Sequence, residues 1–160
     1  IKIDQPDADT ERKILKLVRT EQRETKEQDP AWQEFSKTVG KIAVEDILTA
    51  RREVLSMHVS ESLEEYLVQL IVATRKPEKY DASLRDKILF GASPRATIAL
   101  DKCAKINAWL DGRDFVTPED IHAVIYDVLR HRIILSFEAQ ADGLTTDDII
   151  ASLLKTVPLP

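Results

Sequence analysis

Hydrophobic residues recur with a helical period along most of the chain. The clearest case follows residue 60, where apolar side chains fall at positions i, i+3, i+4, i+7 and i+8. These residues are Leu63, Tyr66, Leu67, Leu70 and Ile71. The same period predicts helices from Val44, from Pro94 to about Leu110, and from Ile121 onwards. The pattern therefore predicts an all-helical bundle.

The spacing also predicts which sides of two helices face the core. The first helix presents a face made of Val44, Ile47, Leu48, Arg51 and Leu55, with only the stem of the arginine buried. The helix that begins at Pro94 presents Ala96, Ala99, Leu100, Cys103, Ile106 and Leu110. Because several residues of this second face are small, we expect a neighbouring helix to approach it closely.

Two helix starts near the end of the chain have complete capping signals. Thr117 precedes Pro118, and Asp120 stands where it completes a capping box. Residues 143–149 repeat the signal for a last helix through Leu154. Capping accounts for the acidic pairs at both starts, so we do not interpret them as a general acid and a general base.

Short apolar segments before two helices predict a backbone pairing. Residues 59–61 and residues 116–119 each place a valine just before a helix start. We therefore predict that the segments around His58 and Phe115 lie side by side as a minimal two-stranded β pair. Residues 80–89 are compatible with either a loop or a short helical turn.

The helix start at residues 91–97 lacks part of that signal. Ser93 is the expected N-cap and Pro94 the first helical residue, but Arg95 then lies at the positive end of the helix dipole. A carboxylate is preferred there by about 0.3–1 kcal/mol. Ala96 stands where the other two starts carry an aspartate. Arg95 is either a solvated surface residue or part of a phosphate site formed by amides, dipole and guanidinium.

Composition narrows the possible chemistry. A net charge of −5, with 32% charged residues of both signs, argues against a dedicated nucleic-acid or anionic-membrane binder. One cysteine and three histidines without ligand spacing predict no disulfide framework and no metal site. No stretch is long and apolar enough to span a bilayer, so the cytoplasm is the expected location. No phosphate loop of the type Gly-x-x-x-x-Gly-Lys-Ser/Thr occurs, so we expect no ATP hydrolysis by this chain alone.

The first forty residues have a different pattern. Residues 1–4 alternate like the end of a strand, and acidic residues after Pro6 precede a helix with an apolar part at residues 14–18. Residues 20–30 are almost wholly polar and predict a solvated helix end and a loop. Trp32 and Phe35 are spaced to anchor one helical face in a core.

Four segments together resemble the C-terminal lid of MoxR-type AAA+ ATPases. Residues 91–96, Gly-Ala-Ser-Pro-Arg-Ala, resemble the sensor 2 motif of that family. Residues 71–75 resemble its apolar-Ala-Thr-Arg helix end, and residues 112–120 resemble its Gly-Arg-x-Phe-Val-Thr-Pro-Glu-Asp segment. Residues 128–132 resemble its Val-Leu-x-His-Arg ending. One departure is Gln5, which precedes Pro6 where the family usually has a tyrosine.

The resemblance implies a domain organisation and a nucleotide contact. Residues 1–30 would be the tail of the α/β nucleotide-binding domain with its linker, and residues 31–160 the helical lid. Arg95 would be the sensor 2 residue that contacts the γ-phosphate of ATP, at a helix start formed with Ser93, Pro94 and Ala96. A large domain outside this chain would hold most of the ATP and the Mg²⁺.

The resemblance also implies partners and a role. The partners would be the chain's own large domain, neighbouring subunits in a ring and, in some members, a von Willebrand factor A-domain protein. The role would be chaperone-like assembly or activation of other proteins, such as metalloenzymes. Two alternatives stay open: the lid of another AAA+ branch, magnesium chelatase-like or helicase-like, and a non-enzymatic helical module that binds protein.

Overall fold

The computed structural model describes residues 6–21 and 42–159. The chain divides into two compact units between Leu48 and Thr49. The strand end predicted at residues 1–4, most of the polar stretch at residues 20–30 and the Trp32–Phe35 face lie outside the described residues. The domain boundary expected after residue 30 lies there too and stays a prediction.

Helices dominate the described chain and confirm the predicted fold class. They are α1 (Ala8–Glu21), α2 (Val44–Leu55), α3 (Glu61–Arg75), α4 (Pro94–Leu110), α5 (Pro118–Leu129), α6 (Phe137–Ala141) and α7 (Thr146–Thr156). Two short 3-10 turns, Pro77–Lys79 and Ala82–Leu84, follow α3. Two strands, β1 (Ile88–Phe90) and β2 (Ile134–Leu135), form an antiparallel pair.

The core of the second unit is built on α3, α4 and α5. Ser60 begins α3 because its side chain accepts a hydrogen bond from the N–H of Leu63, at 3.3 Å. Every residue of the predicted apolar face of α3 is buried, with exposed fractions between 0% and 4%. Pro77 follows the helix and cannot continue it, as the sequence predicts.

Small side chains bring α4 close to α5. The buried side of α4 consists of Ala96, Leu100, Ala104 and Ala108, each at most 1% exposed. The predicted face is therefore wrong at its second half, because Ile106 is 43% and Leu110 70% exposed. The three buried alanines follow the helical repeat. Because alanine is only weakly hydrophobic, the sequence pattern does not show that they form the buried face. A longer side chain at these buried positions would have to displace the packed core.

Two short backbone pairings link elements that are far apart in sequence. The N–H of His58 donates to the carbonyl of Asp114, and the N–H of Val116 donates to the carbonyl of His58, each at 3.0 Å. This bridge confirms the predicted pairing of the two segments that lead into α3 and α5. The pair formed by β1 and β2 was not predicted, because strands of three and two residues are too short to show alternation.

Most of the large apolar residues of α1 and α2 are exposed. On α1 the exposed fractions lie between 41% and 59% for Ile14, Leu15, Leu17 and Val18. The helix predicted from Val44 is confirmed, but its predicted burial is wrong, because no residue of α2 is buried. On α2 the exposed fractions lie between 51% and 66% for Val44, Ile47, Leu48 and Leu55.

The close contact of α4 with α5 predicts sensitivity to side-chain size. Ala104→Leu should reduce the free energy of unfolding by about 1–3 kcal/mol, since the added carbons have no space. Ile106→Ala on the exposed side of the same helix is the control and should cost less than half as much. Urea unfolding of the 160-residue chain at pH 7 measures both changes. Equal losses for the two variants would contradict the close packing.

Candidate functional site

The start of α4 is a helix N-terminus without a side-chain cap. Ser93 occupies the N-cap position with extended backbone angles of φ −77° and ψ 168°, but its hydroxyl makes no capping hydrogen bond. Its carbonyl accepts the N–H of Ala96 at 2.8 Å. The N–H of Arg95 has no partner among the described residues. The predicted position of Ser93 is therefore right, while the predicted hydroxyl cap is absent.

The guanidinium of Arg95 is free as well. Ser93, Pro94 and Arg95 are exposed, whereas the side chain of Ala96 is fully buried and holds the first turn against the core. Within the part of the chain that the structure describes, the Arg95 side chain has neither a hydrogen bond nor an ion pair. The first turn of α4 contains no acidic residue. An unpaired cation thus stands beside unsatisfied donors at the positive end of a 17-residue helix.

At two other helix starts, those of α5 and α7, an aspartate of the first turn accepts the backbone N–H of a threonine N-cap. At α5 the carboxylate of Asp120 accepts the N–H of Thr117 at 2.8 Å. At α7 the carboxylate of Asp148 accepts the N–H of Thr145 at 2.9 Å, and the Thr145 hydroxyl accepts the N–H of Asp148 at 3.2 Å. Hydrogen bonds from Thr145 also lower the pKa of Asp148. The start of α4 has no carboxylate in its first turn, so no negative charge stands there to repel an anion.

The loop before α4 is pressed against the end of α3. A Cβ atom on Gly91 would lie 2.3 Å from the carbonyl oxygen of Thr74 and 2.8 Å from the amide nitrogen of Arg75. No side chain fits in that space, so the glycine is required by close approach and not by an unusual φ. The next residue, Ala92, is fully buried, and its N–H donates to Oγ1 of Thr74 at 2.9 Å. Two of the resembling segments, residues 71–75 and 91–96, therefore meet directly.

A buried ion pair fixes the opposite end of α4. Asp120 is 1% exposed and accepts two hydrogen bonds from the guanidinium of Arg113, at 2.6 and 2.7 Å. Asn107, in the last turn of α4, donates to the same carboxylate at 2.8 Å. Sequence reasoning attributed Asp120 to capping alone and gave Arg113 no role. The signal that could have revealed the pair is the presence of both residues in the Gly-Arg-x-Phe-Val-Thr-Pro-Glu-Asp segment.

The ion pair changes the acidity of both partners. Burial alone raises the pKa of Asp120, but the hydrogen bonds from Arg113, Asn107 and Thr117 outweigh burial and hold that pKa well below its usual value. The bonds to Asp120 and then to Asp111 raise the pKa of Arg113. Both groups are therefore charged at neutral pH, and the carboxylate loses its acceptor role only in acid.

The three histidines and the cysteine lie in different surroundings. His122 shares a 2.8 Å hydrogen bond with the hydroxyl of Tyr66, and His58 and His131 are exposed. Cys103 is partly buried against the core. In residues 6–21 and 42–159, no three His, Cys, Asp or Glu side chains are grouped so as to hold a metal ion. No helix within those ranges has the length and apolarity needed to cross a membrane.

Comparison with known proteins defines the class of domain that this chain contains. Residues 82–153 match the family model of the AAA lid domain. The match covers α4, α5, α6 and most of α7, including the open helix start and the buried ion pair. Residues 82–153 therefore belong to an AAA lid domain.

The relatives narrow this class to the MoxR type. The chain is 39% identical over 116 residues to "Chaperone MoxR1" of Mycobacterium tuberculosis. The aligned region covers 72% of this chain and 31% of the relative. It is 42% identical over 72 residues to "Protein MoxR" of Methylorubrum extorquens, which covers 44% of this chain and 21% of the relative. The lid belongs to the MoxR family of AAA+ ATPases.

A solved structure supports the same assignment. The crystal structure of an ATPase candidate from Cytophaga hutchinsonii covers 100% of this chain at 37% identity, with a TM-score of 0.78. The chain covers 46% of that protein and 31% of the length of the first curated relative. The relatives therefore contain a large part that this chain does not.

The buried ion pair predicts a pH-dependent stability. Because the pKa of Asp120 is lowered in the folded state, its contribution is fully present above the unfolded pKa of about 3.9 and is lost as the pH falls further. Asp120→Asn should therefore cost about 1.5–3 kcal/mol at pH 7, the contribution of hydrogen bonds to a charged group, and progressively less below about pH 4. Urea unfolding of both forms at several pH values measures the difference.

Asp101→Asn is the matched control for that experiment. It breaks a 3.0 Å pair with Lys105 on the surface of α4, where Asp101 is 37% exposed. A loss of about 0.3–0.5 kcal/mol is expected for such a pair. A cost of Asp120→Asn that stays constant down to pH 2 or so would argue against a buried, charged carboxylate.

Proposed function

We propose that this lid works as the nucleotide-sensing part of a MoxR-type AAA+ ATPase, with Arg95 as the residue that contacts the γ-phosphate of ATP. One observation carries the proposal: an exposed arginine without a partner stands in the first turn of an uncapped helix. That arrangement costs the free lid a little stability, and a bound phosphate would remove the cost.

The residues of this helix start fit a phosphate to different degrees. The N–H and the guanidinium of Arg95 are both unpaired in the described chain and can donate to phosphate oxygens. The Ser93 hydroxyl is uncommitted as a cap and can also donate. Pro94 has no N–H and contributes its fixed φ. The amide of Ala96 already donates to the Ser93 carbonyl, so it would add less.

The Mg²⁺ that accompanies ATP requires ligands from elsewhere. Among residues 6–21 and 42–159 no suitable acidic cluster exists, and the sequence has no phosphate loop. We therefore assign Mg²⁺ and most of the nucleotide to the large domain that the relatives contain. ATP supplies the phosphoryl chemistry when bound there, and this chain contributes donors at the γ-phosphate.

The energy of the Arg95 contact is sufficient for a sensor. A hydrogen bond to a charged group contributes about 1.5–3 kcal/mol. About 1.4 kcal/mol corresponds to a tenfold change in an equilibrium constant. One arginine can therefore shift the equilibrium between two lid orientations by about 10- to 100-fold. Loss of the γ-phosphate on hydrolysis removes the contact and releases the lid.

The wider role follows from the family and remains part of the proposal. The full protein would form a ring with its own large domain beside this lid and act as a chaperone-like factor in the cytoplasm. Its clients would include metalloenzymes, and a von Willebrand factor A-domain protein would be a further partner. The mycobacterial relative is named a chaperone, which supports this role over a magnesium chelatase-like or helicase-like one. A non-enzymatic binding module would leave the free arginine without an explanation.

Replacement of Arg95 tests the proposed contact. In the full-length ATPase, Arg95→Ala should weaken ATP binding or turnover at least tenfold, since the charged hydrogen bond is lost. Arg95→Lys should restore activity only in part, because an ammonium lacks the planar fork of donors. The same Arg95→Ala change should leave the thermal midpoint of the isolated lid nearly unchanged.

Arg85→Ala is the matched control. Arg85 is exposed and without a partner in the described chain, but it lies in a turn away from a helix start. Arg113 is unsuitable because its ion pair with Asp120 stabilises the fold. If Arg95→Ala melts the isolated lid while the full-length enzyme keeps normal turnover, Arg95 is structural and the proposal is wrong.

The isolated chain should bind ATP only weakly. One helix start and one arginine provide few of the contacts that a nucleotide needs, because the phosphate loop is not in this sequence. Calorimetric titration of the 160-residue chain with Mg-ATP should therefore give a dissociation constant weaker than about 1 mM, equivalent to less than about 4 kcal/mol. Micromolar binding would reveal a separate nucleotide site and count against the lid acting only as a sensor.

A further inference from the structure

The segment Ile71-Val72-Ala73-Thr74-Arg75 has no place in the function proposed above. Its most unusual member is Thr74, a polar residue that is 0% exposed. The Thr74 hydroxyl donates to the carbonyl of Ile71 at 2.7 Å, within α3. The same oxygen accepts the N–H of Ala92 at 2.9 Å, from the loop that leads into α4. One hydroxyl therefore ties two elements together.

The loop has little freedom around that bond. Gly91 lies so close to the Thr74 carbonyl that a Cβ would be 2.3 Å away, and Ala92 is 0% exposed. Only Ser93 and Pro94 separate Ala92 from Arg95. Gly91 and Ala92 are consecutive, and both are held against Thr74 near the end of α3. The location of the first turn of α4 therefore depends on Thr74.

We propose that Thr74 is a positioning residue that acts through Arg95, by holding the Ala92 amide and thereby the start of α4 in phosphate-contacting geometry. The inference rests on the proposed contact between Arg95 and the γ-phosphate. A misplacement of about 1 Å at such a contact is enough to reduce activity strongly. The hydroxyl is needed for this role, because a side chain without an acceptor leaves the buried Ala92 N–H unpaired.

A double-mutant cycle in the full-length ATPase tests the inference. Thr74→Val keeps the shape of the side chain and removes the hydroxyl, and Arg95→Ala removes the contact that Thr74 is inferred to position. Each change alone should weaken ATP binding or turnover, by about fivefold or more for Thr74→Val. The two together should be no worse than Arg95→Ala alone, because Thr74 then has nothing to position. Thr74→Ser, which retains the hydroxyl, should restore most of the activity.

Two further variants separate positioning from general stability. Thr156→Val removes a hydroxyl that bonds a carbonyl of its own helix, Ser152, at 3.0 Å, but no loop amide, and it should leave ATP dependence unchanged. Leu153→Ala opens a cavity in the core at α7, outside α4 and the loop that precedes it, and should not reproduce the coupling with Arg95. If Thr74→Val does not fold, Thr74→Ala takes its place in the same cycle.

Each outcome decides a definite point. If the fold-loss of the double mutant equals the product of the two single fold-losses, the two residues act independently and the positioning role is overturned. Full activity of Thr74→Val overturns it as well. The same conclusion follows if Thr74→Ser is as impaired as Thr74→Val. Unchanged activity of Arg95→Ala overturns the proposed phosphate contact itself, which is a different failure. Non-additivity together with rescue by serine establishes Thr74 as the positioning residue.

Discussion

The backbone contact between Gly91 and the end of α3 determines where α4 begins. A side chain at Gly91 would overlap the carbonyl of Thr74, so the two segments touch through backbone atoms. The bond from the Ala92 N–H to the Thr74 hydroxyl then fixes the loop in a second direction. Because that N–H is buried, breaking the bond leaves an unpaired donor, which is more costly than the bond is strong. The start of α4 is thus held by sterics and by hydrogen bonding.

The opposite end of α4 is held by a different interaction, and this makes the helix a rigid connector. Arg113 and Asn107 converge on the buried carboxylate of Asp120 and join the end of α4 to the start of α5. Between the two ends, the buried side of α4 consists mostly of alanine, and α5 is the element with which α4 packs most extensively. A force applied at the first turn therefore moves the core helices together, since closely packed interiors transmit strain. The proposed function requires such a connection, because a phosphate contact at Arg95 would have to move the whole lid.

Local sequence signals predicted most of the helices and the open start of α4. The bounds of α3 and α4 follow from Pro77, Pro94 and the residues that flank them, whose effects are confined to one turn. The burial of α4 could not be read in the same way, because hydrophobicity favoured Ile106 over the smaller Ala104. The Thr74–Ala92 bond links residues 18 positions apart, and no periodicity encodes it. The role of Arg113 was not predicted for the same reason, because only the folded structure shows that its guanidinium binds Asp120.

The unsatisfied start of α4 is best understood against the two satisfied ones. Asp120 and Asp148 show that this chain readily places a carboxylate three residues after an N-cap. Ala96 at the corresponding position forgoes that stabilisation, and Arg95 adds a charge of the unfavourable sign. The resulting cost, about 1 kcal/mol, is small beside the stability of a domain with a well-packed core. A carboxylate at residue 96 would repel a phosphate, and because the Ala96 side chain is fully buried it would also need a partner such as Arg113 provides for Asp120. The proposed anion binding therefore requires that this helix start carry no negative charge of its own.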